Sequence, residues 1–192
     1  MTKERVIEHI SKNKVFSIIR NDEKFAPYDM ARAMIDGGLT TLEISMDIPD
    51  AVEIIEKLKS EDILLGACSV ITAQQVQNAI QAGAQFIDTP VLEMSVIRFS
   101  KGDAKVPLIV GASTANEAYE SWKLNTLYTK IFPTKEMGGI NYIAYMLHIM
   151  PFLRLIASSG VTLDDFTNYL DVGATGVSFG RFLYYGANDL KE

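Results

Sequence analysis

The sequence predicts an α/β fold in which eight parallel strands, each followed by a helix, close into a barrel. Three observations carry that expectation. Apolar strand-like runs alternate with amphipathic helical stretches eight times, in windows of roughly 20 to 27 residues, the room that parallel strands need for a crossover helix. No Gly-x-Gly-x-x-Gly follows the first strand, so an open dinucleotide-binding sheet lacks its usual mark. A chain of 192 residues with 48% hydrophobic and 22% charged residues is long enough for one sizeable core. Residues 1–192 are therefore expected to form a single (β/α)8 TIM-barrel domain.

The elements follow in order. A short amphipathic helix is expected around residues 3–12, with Val6, Ile7 and Ile10 on one side. Val15 to Arg20 reads as the first strand, and Pro27 to Asp36 as a helix that Gly37-Gly38 closes. Thr40 to Met46 is the second strand, and Ala51 to Leu58 is a helix that Pro49 precedes. Ile63 to Ala67 is the third strand, before a helix with Thr72 as N-cap and Gly83 as its stop. Gln85 to Asp88 and Pro107 to Val110 are strands four and five, followed by helices over Leu92 to Ser100 and Ala115 to Lys123. Leu127 to Phe132 is the sixth strand, and Gly138-Gly139 opens a helix through Met150. Phe152 to Ala157, a helix over Leu163 to Leu170, and the eighth strand Gly176 to Phe179 complete the pattern. Only nine residues follow Leu183, so the last helix is expected to be truncated or missing, leaving one flank thin or covered by a neighbouring subunit.

Composition narrows the function classes. Eighteen basic against twenty-four acidic residues give a net charge of −6 with no basic patch, which argues against nucleic acid and anionic membrane as partners. Cys68 is the single cysteine, so an internal disulfide and a cysteine-based metal cluster are both ruled out, as suits a reducing compartment. The charged N-terminus is no signal peptide and no apolar run is long enough to span a membrane; the expected location is the cytoplasm. His9 and His148 lie on helices far from strand ends, so no metal site and no cofactor are expected. Met137, Met146 and Met150 read as core filler.

In a barrel of this kind, chemistry sits at the C-terminal ends of the strands. The polar residues there are Arg20, Glu43 with Ser45, Ser69, Thr89 before Pro90, Ser113, Lys130, Ser158 with Ser159, and Arg181. Lys130 stands among aromatics, sharing a strand face with Tyr128 and Phe132. Burial pushes an ammonium pKa down and leaves free amine able to attack a carbonyl, so Lys130 is a candidate Schiff-base nucleophile; the bland alternative is a lysine that snorkels to solvent. Thr41, Glu43 and Ser45 share the face opposite Leu42, Ile44 and Met46, which points the carboxylate into the barrel. With Lys130 it forms either a buried ion pair of little net stability or a nucleophile with an adjacent proton shuttle.

The motifs Leu42-Glu43-Ile44-Ser45, Gly66-Ala67-Cys68-Ser69-Val70, Ala82-Gly83-Ala84-Gln85-Phe86, Pro107-Leu108-Ile109 and Lys130-Ile131-Phe132-Pro133, with Gly138-Gly139 after them, resemble those of the 2-keto-3-deoxy-6-phosphogluconate and 4-hydroxy-2-oxoglutarate aldolase family. The likeness runs from about Val15 to Leu183. It implies a metal-free class I aldolase, usually trimeric, with Lys130 at the family's Schiff-base lysine and Glu43 at its catalytic glutamate. It further implies a keto-acid or sugar-acid substrate cleaved to pyruvate and an aldehyde. Ser69 stands at the place of a family threonine that meets the substrate carboxylate, and Thr89 and Pro90 would shape the pocket wall.

Two departures bear on substrate. Where the family carries an arginine four residues after the glutamate, this chain has Asp47. Two carboxylates at about 4 Å cost on the order of 1 kcal/mol even in water. Either Asp47 turns outward and Arg20 or Lys135 supplies the charge, or the substrate differs. The family's glycine-rich phosphate turns are here Ser158-Ser159-Gly160 and Phe179-Gly180-Arg181, each short of one glycine. Arg181 reads as a bidentate phosphate or carboxylate partner or as a surface residue. An aldolase is the first reading; the alternative is an aldolase-like barrel that has lost the aldol reaction and serves as a sugar-acid or phosphate-binding or structural protein.

Overall fold

A computed structural model describes residues 3–185. Helix α1, Lys3–Asn13, precedes β1 (Val15–Ile19), α2 (Pro27–Asp36), β2 (Thr41–Ser45), α3 (Ala51–Leu58), β3 (Leu64–Cys68), α4 (Ala73–Ala82) and β4 (Phe86–Thr89). Then come α5 (Met94–Lys101), β5 (Leu108–Ala112), α6 (Ala115–Lys123), β6 (Tyr128–Ile131), α7 (Gly139–Ile149), β7 (Leu155–Ser158), α8 (Phe166–Asp171), β8 (Gly176–Phe179) and α9 (Phe182–Tyr185). All neighbouring strands are parallel, and β8 pairs with β1 to close the barrel. A helix does begin after β8; the rest of the expected short last helix lies outside the described residues.

Most strand ends shift by one or two residues from the sequence expectation, and three element starts shift by two or three for a local reason. Helix α5 starts at Met94 rather than Leu92 because the Glu93 carboxylate caps it, accepting from the Ser95 N–H at 2.9 Å. Helix α8 starts at Phe166 rather than Leu163: Leu163 is exposed, and the Thr162 hydroxyl donates to Asp165 at 2.8 Å in a turn before the helix. Strand β7 starts at Leu155 because Pro151-Phe152 still belongs to the turn, whose Leu153 N–H returns to the Met150 carbonyl.

Strand alternation divides the apolar residues into two shells. Leu42, Ile44, Leu65, Ala67, Ile87, Leu108 and Val110 pack outward against the helices on one side of the barrel, and Ile131, Leu155, Ala157, Val177 and Phe179 do so on the other. Phe16, Leu64, Phe86, Ile109, Tyr128 and Ile156 point inward, where Val6 and Ile10 of α1 plug the N-terminal end.

The register determines what lies above that plug. Moving across the sheet and advancing one residue per strand carries Glu43 to Asp88, Asp88 to Lys130, Lys130 to Ser178, and Ser178 back to Glu43. That stagger is the one an eight-stranded barrel needs to stack its interior in layers drawn from alternate strands. The layer from β2, β4, β6 and β8 is thus Glu43, Asp88, Lys130 and Ser178. Its floor, from the other four strands, is Phe16, Gly66, Ile109 and Ile156; the Phe86 ring fills the space that a side chain at Gly66 would need.

Candidate active site

Lys130 extends from β6 into this layer and is buried. Its Nζ donates to both Glu43 oxygens, at 2.8 and 2.7 Å, and to Asp88 Oδ2, and it lies 5.4 Å from the centre of the Phe16 ring beneath. Glu43 is 0% and Asp88 4% exposed. One ammonium thus faces two carboxylates in a space closed below by apolar side chains, where an unpaired charge is costly.

The electrostatics correct one expectation. Burial does push the Lys130 ammonium down, but the Asp88 and Glu43 carboxylates outweigh it, so the amine is held above its ordinary value. Activation therefore requires a carboxylate to take its proton. Burial raises Glu43 to about 7, with the Lys130 charge opposing and the Asp88 charge and hydrogen bond adding to the rise. Cys68, on the neighbouring β3, is pushed up by burial and then by the same carboxylates, so its thiol stays protonated and is a poor nucleophile.

Above the layer the barrel mouth is polar. The Ser45 hydroxyl donates to Ser69 Oγ at 2.7 Å, and Arg20 Nη1 donates to the same oxygen at 3.4 Å. Ser69 holds its place at the end of β3 with a left-handed φ of 57°. Asp47 turns outward, with its side chain 58% exposed, and its Oδ2 lies 3.5 Å from Arg20 Nη1. Of the two cations considered for the keto-acid end, Arg20 is the one that reaches Ser69. Lys135 instead lies against the turn after β7, where its side chain fills the position a Cβ at Gly160 would take.

The remaining residues separate. Thr89 alternates with Asp88 and falls on the outward side with Ile87; its hydroxyl donates to the Val91 carbonyl at 3.1 Å, so it shapes the loop rather than facing the amine. Pro90 packs its backbone against Gly111, and only a glycine there permits the approach. In the turn after β7, the Ser158 N–H donates to the Thr134 hydroxyl and the Thr134 N–H to the Ser158 carbonyl, both at 2.8 Å, so that amide is taken. Ser159 and Gly160 follow with φ of 73° and 68°. After β8, Gly180 faces open space and Arg181 is exposed, without an ion pair or hydrogen bond among the described residues. Phe132, next after the strand, is 43% exposed at the mouth. His9 donates to or accepts from the Thr41 hydroxyl at 3.0 Å, at the opposite end. Among the described residues no group of three or more His, Cys, Asp or Glu side chains is placed to hold a metal ion.

Sequence reasoning missed two members of the layer. Asp88 alternates in phase with Phe86, and Ser178 with Gly176, so both point inward by the rule that turned Glu43 inward. The Ser178 hydroxyl, 2% exposed, has no hydrogen-bond partner among the described residues.

A family model described as KDPG and KHG aldolase matches residues 6–190. A 2-dehydro-3-deoxy-phosphogluconate aldolase of Treponema pallidum is 28% identical over 167 residues, covering 86% of this chain and 79% of the relative. A 2-dehydro-3-deoxy-6-phosphogalactonate aldolase of Escherichia coli is 30% identical over 164 residues, covering 83% of this chain and 79% of the relative. Among solved structures, one described as native KDPGal superposes with a TM-score of 0.79 at 27% identity, covering 90% of this chain and 85% of the other.

Proposed function

This chain belongs to the KDPG and KHG aldolase family, and on that premise we propose that it cleaves a 2-keto-3-deoxy sugar acid, or 4-hydroxy-2-oxoglutarate, through a Schiff base on Lys130. The observation that carries this reading is a buried Nζ within hydrogen-bond reach of both Glu43 oxygens, at the layer from which a barrel presents its chemistry.

The steps follow from the charges. Once a carboxylate takes its proton, the Lys130 amine attacks the keto carbon and the carbinolamine loses water. Ammonium and ketone become iminium and water with no net change in charge, so the carboxylates that stabilise the ammonium also stabilise the iminium. The iminium accepts the electron pair when the bond between carbons three and four breaks. Glu43, with a pKa near neutrality, takes the proton of the carbon-four hydroxyl and returns one to the enamine.

Arg20 and Ser69 together would hold the substrate carboxylate. Ser69 already accepts from two donors, which leaves its own proton for a substrate oxygen. Asp47, with its side chain 58% exposed, pairs with Arg20 and so orients the guanidinium toward Ser69. The far end of the substrate would reach Ser159, Gly160, Gly180 and Arg181 on adjacent turns, where a phosphate or second carboxylate meets one cation and backbone that is free to approach. Oligomer formation, as a trimer, is part of the same proposal.

Incubation with pyruvate, borohydride reduction and peptide mass spectrometry test the reading. A pyruvate adduct on Lys130, absent from Lys130→Ala, is the expected result; no adduct on the folded wild-type protein overturns it. The Arg20–Asp47 ion pair favours one second reading, a barrel that binds sugar acids without turnover, because Asp47 draws on the guanidinium that would otherwise fix the keto-acid end over Lys130 while the far-end turns stay available. An unreacted amine alongside saturable sugar-acid binding would select it.

A further inference from the structure

We propose that Asp88 is a second catalytic carboxyl, which shares one proton with Glu43 across Lys130 so that Glu43 can act as acid in one step and base in the next. The inference rests on the aldolase reading and deepens it.

The geometry is specific to this layer. Asp88 reaches the same Nζ as Glu43 from β4, two strands round the barrel from β2 on the same side, while Lys130 extends from β6 opposite Glu43, and both carboxyls are shut away from solvent. The charged and titratable groups facing Asp88 are Lys130 from β6, Glu43 from β2 and Cys68 from β3; β8 contributes only the uncharged Ser178. With one cation and two carboxyls in a dry layer, the neutral arrangement is an ammonium, one carboxylate and one carboxylic acid. Two carboxyls that meet at one ammonium, with Glu43 raised, match a proton held between the pair.

A single carboxylate meets a conflict here. If Glu43 carries the proton, it can protonate the departing hydroxyl but cannot accept the Lys130 proton; if it is ionised, the reverse holds. With Asp88 the protons balance. Asp88 takes a proton from the ammonium. The amine attacks the keto carbon, a C–N bond forming as the carbonyl π pair moves to oxygen, which takes the Glu43 proton. The nitrogen returns a proton to Glu43. The Asp88 proton then passes to the hydroxyl, which leaves as water while the nitrogen pair closes the C=N bond. The pair ends with the one proton it began with. For cleavage that proton moves to Asp88, and the ionised Glu43 takes the hydrogen of the carbon-four hydroxyl.

The test follows exchange of the pyruvate methyl hydrogens in D2O by NMR, from about pH 5 to about pH 9, in wild type and Asp88→Asn, each also trapped with borohydride. The amide keeps the shape and removes the proton site. The expected result is that Asp88→Asn traps pyruvate on Lys130 more slowly than wild type, exchanges roughly 10- to 100-fold more slowly at neutral pH, and has its acid limb displaced to lower pH because Glu43 has lost the neighbouring carboxylate. Wild-type trapping with an unchanged Asp88→Asn rate and profile overturns the shared proton alone. No trapping by wild type overturns the aldolase reading and this inference with it. Should Asp88→Asn not fold, the 13C-labelled Glu43 carboxyl of the wild type decides: titration in two steps supports a shared proton, and a single step overturns it.

Discussion

At the scale of single residues, the site is governed by what a buried charge requires. Lys130 is held protonated by two carboxylates, so the proposed Schiff-base role draws its free amine from proton transfer within the layer and not from an isolated amine of low pKa. This arrangement should leave a mark on stability. Glu43 rises from 4.5 to about 7 in the folded chain, so between those values the folded state binds a proton that the unfolded state has released. Stability is then highest below about pH 4.5 for this group and falls as pH rises through 7, by on the order of 3 kcal/mol. Urea midpoints across that range check the sign: Glu43→Gln should flatten the slope and, as general acid–base loss, lower turnover by roughly 100-fold or more. The mouth behaves differently. The Arg20–Asp47 pair, 41% and 58% exposed, should contribute less than about 1 kcal/mol to stability. Arg20→Ala should therefore leave the melting transition nearly unchanged while weakening keto-acid binding roughly 10-fold or more, as measured by the pyruvate dependence of trapping.

At the scale of elements, the chain's local signals explain what was legible. Thr72 and Thr114 each form a capping box, with Gln75 and Glu117, so α4 and α6 begin where the sequence says they must. The inward turn of Glu43 followed from alternation with Leu42 and Ile44. Applied to β4, the same alternation sends Phe86 and Asp88 inward and Thr89 outward. Nearness to the strand's end drew attention to Thr89, although its hydroxyl closes the local loop. The meeting of Asp88 and Ser178 with Lys130 was hidden for a different reason: it depends on the stagger accumulated around the closed sheet, which no single strand contains. Turns also carry tests. Gly160 has a φ of 68° and no space for a Cβ beside Lys135. Gly160→Ala should distort the turn after β7 at a cost of about 1–3 kcal/mol. It should weaken binding of a phosphorylated keto acid while leaving pyruvate trapping on Lys130 intact, which separates the far end of the substrate from the reacting end.

At the scale of the whole molecule, the barrel carries a polar layer on an apolar floor, and the two have opposite effects. The lower interior, from Val6 and Ile10 through Phe16, Phe86 and Ile156, is a packed core in which burial stabilises the fold. The layer above spends desolvation on three ionisable groups and leaves the Ser178 hydroxyl without a partner among the described residues. Attraction within a buried cluster roughly offsets its desolvation, whereas removal of one member strands the others. Lys130→Met alone should therefore destabilise the barrel by about 3–5 kcal/mol near neutral pH, because two buried carboxyls lose their cation. That loss should shrink as acid protonates them. Replacing all three, as Glu43→Leu, Asp88→Leu and Lys130→Met together, should restore the wild-type stability or exceed it by about 1–4 kcal/mol, while abolishing the pyruvate adduct. Calorimetry of the single and triple variants at two pH values distinguishes this from a layer that holds the barrel together. If the triple variant is less stable than Lys130→Met, the polar layer is a structural element of the fold and not a group of charges kept there for chemistry.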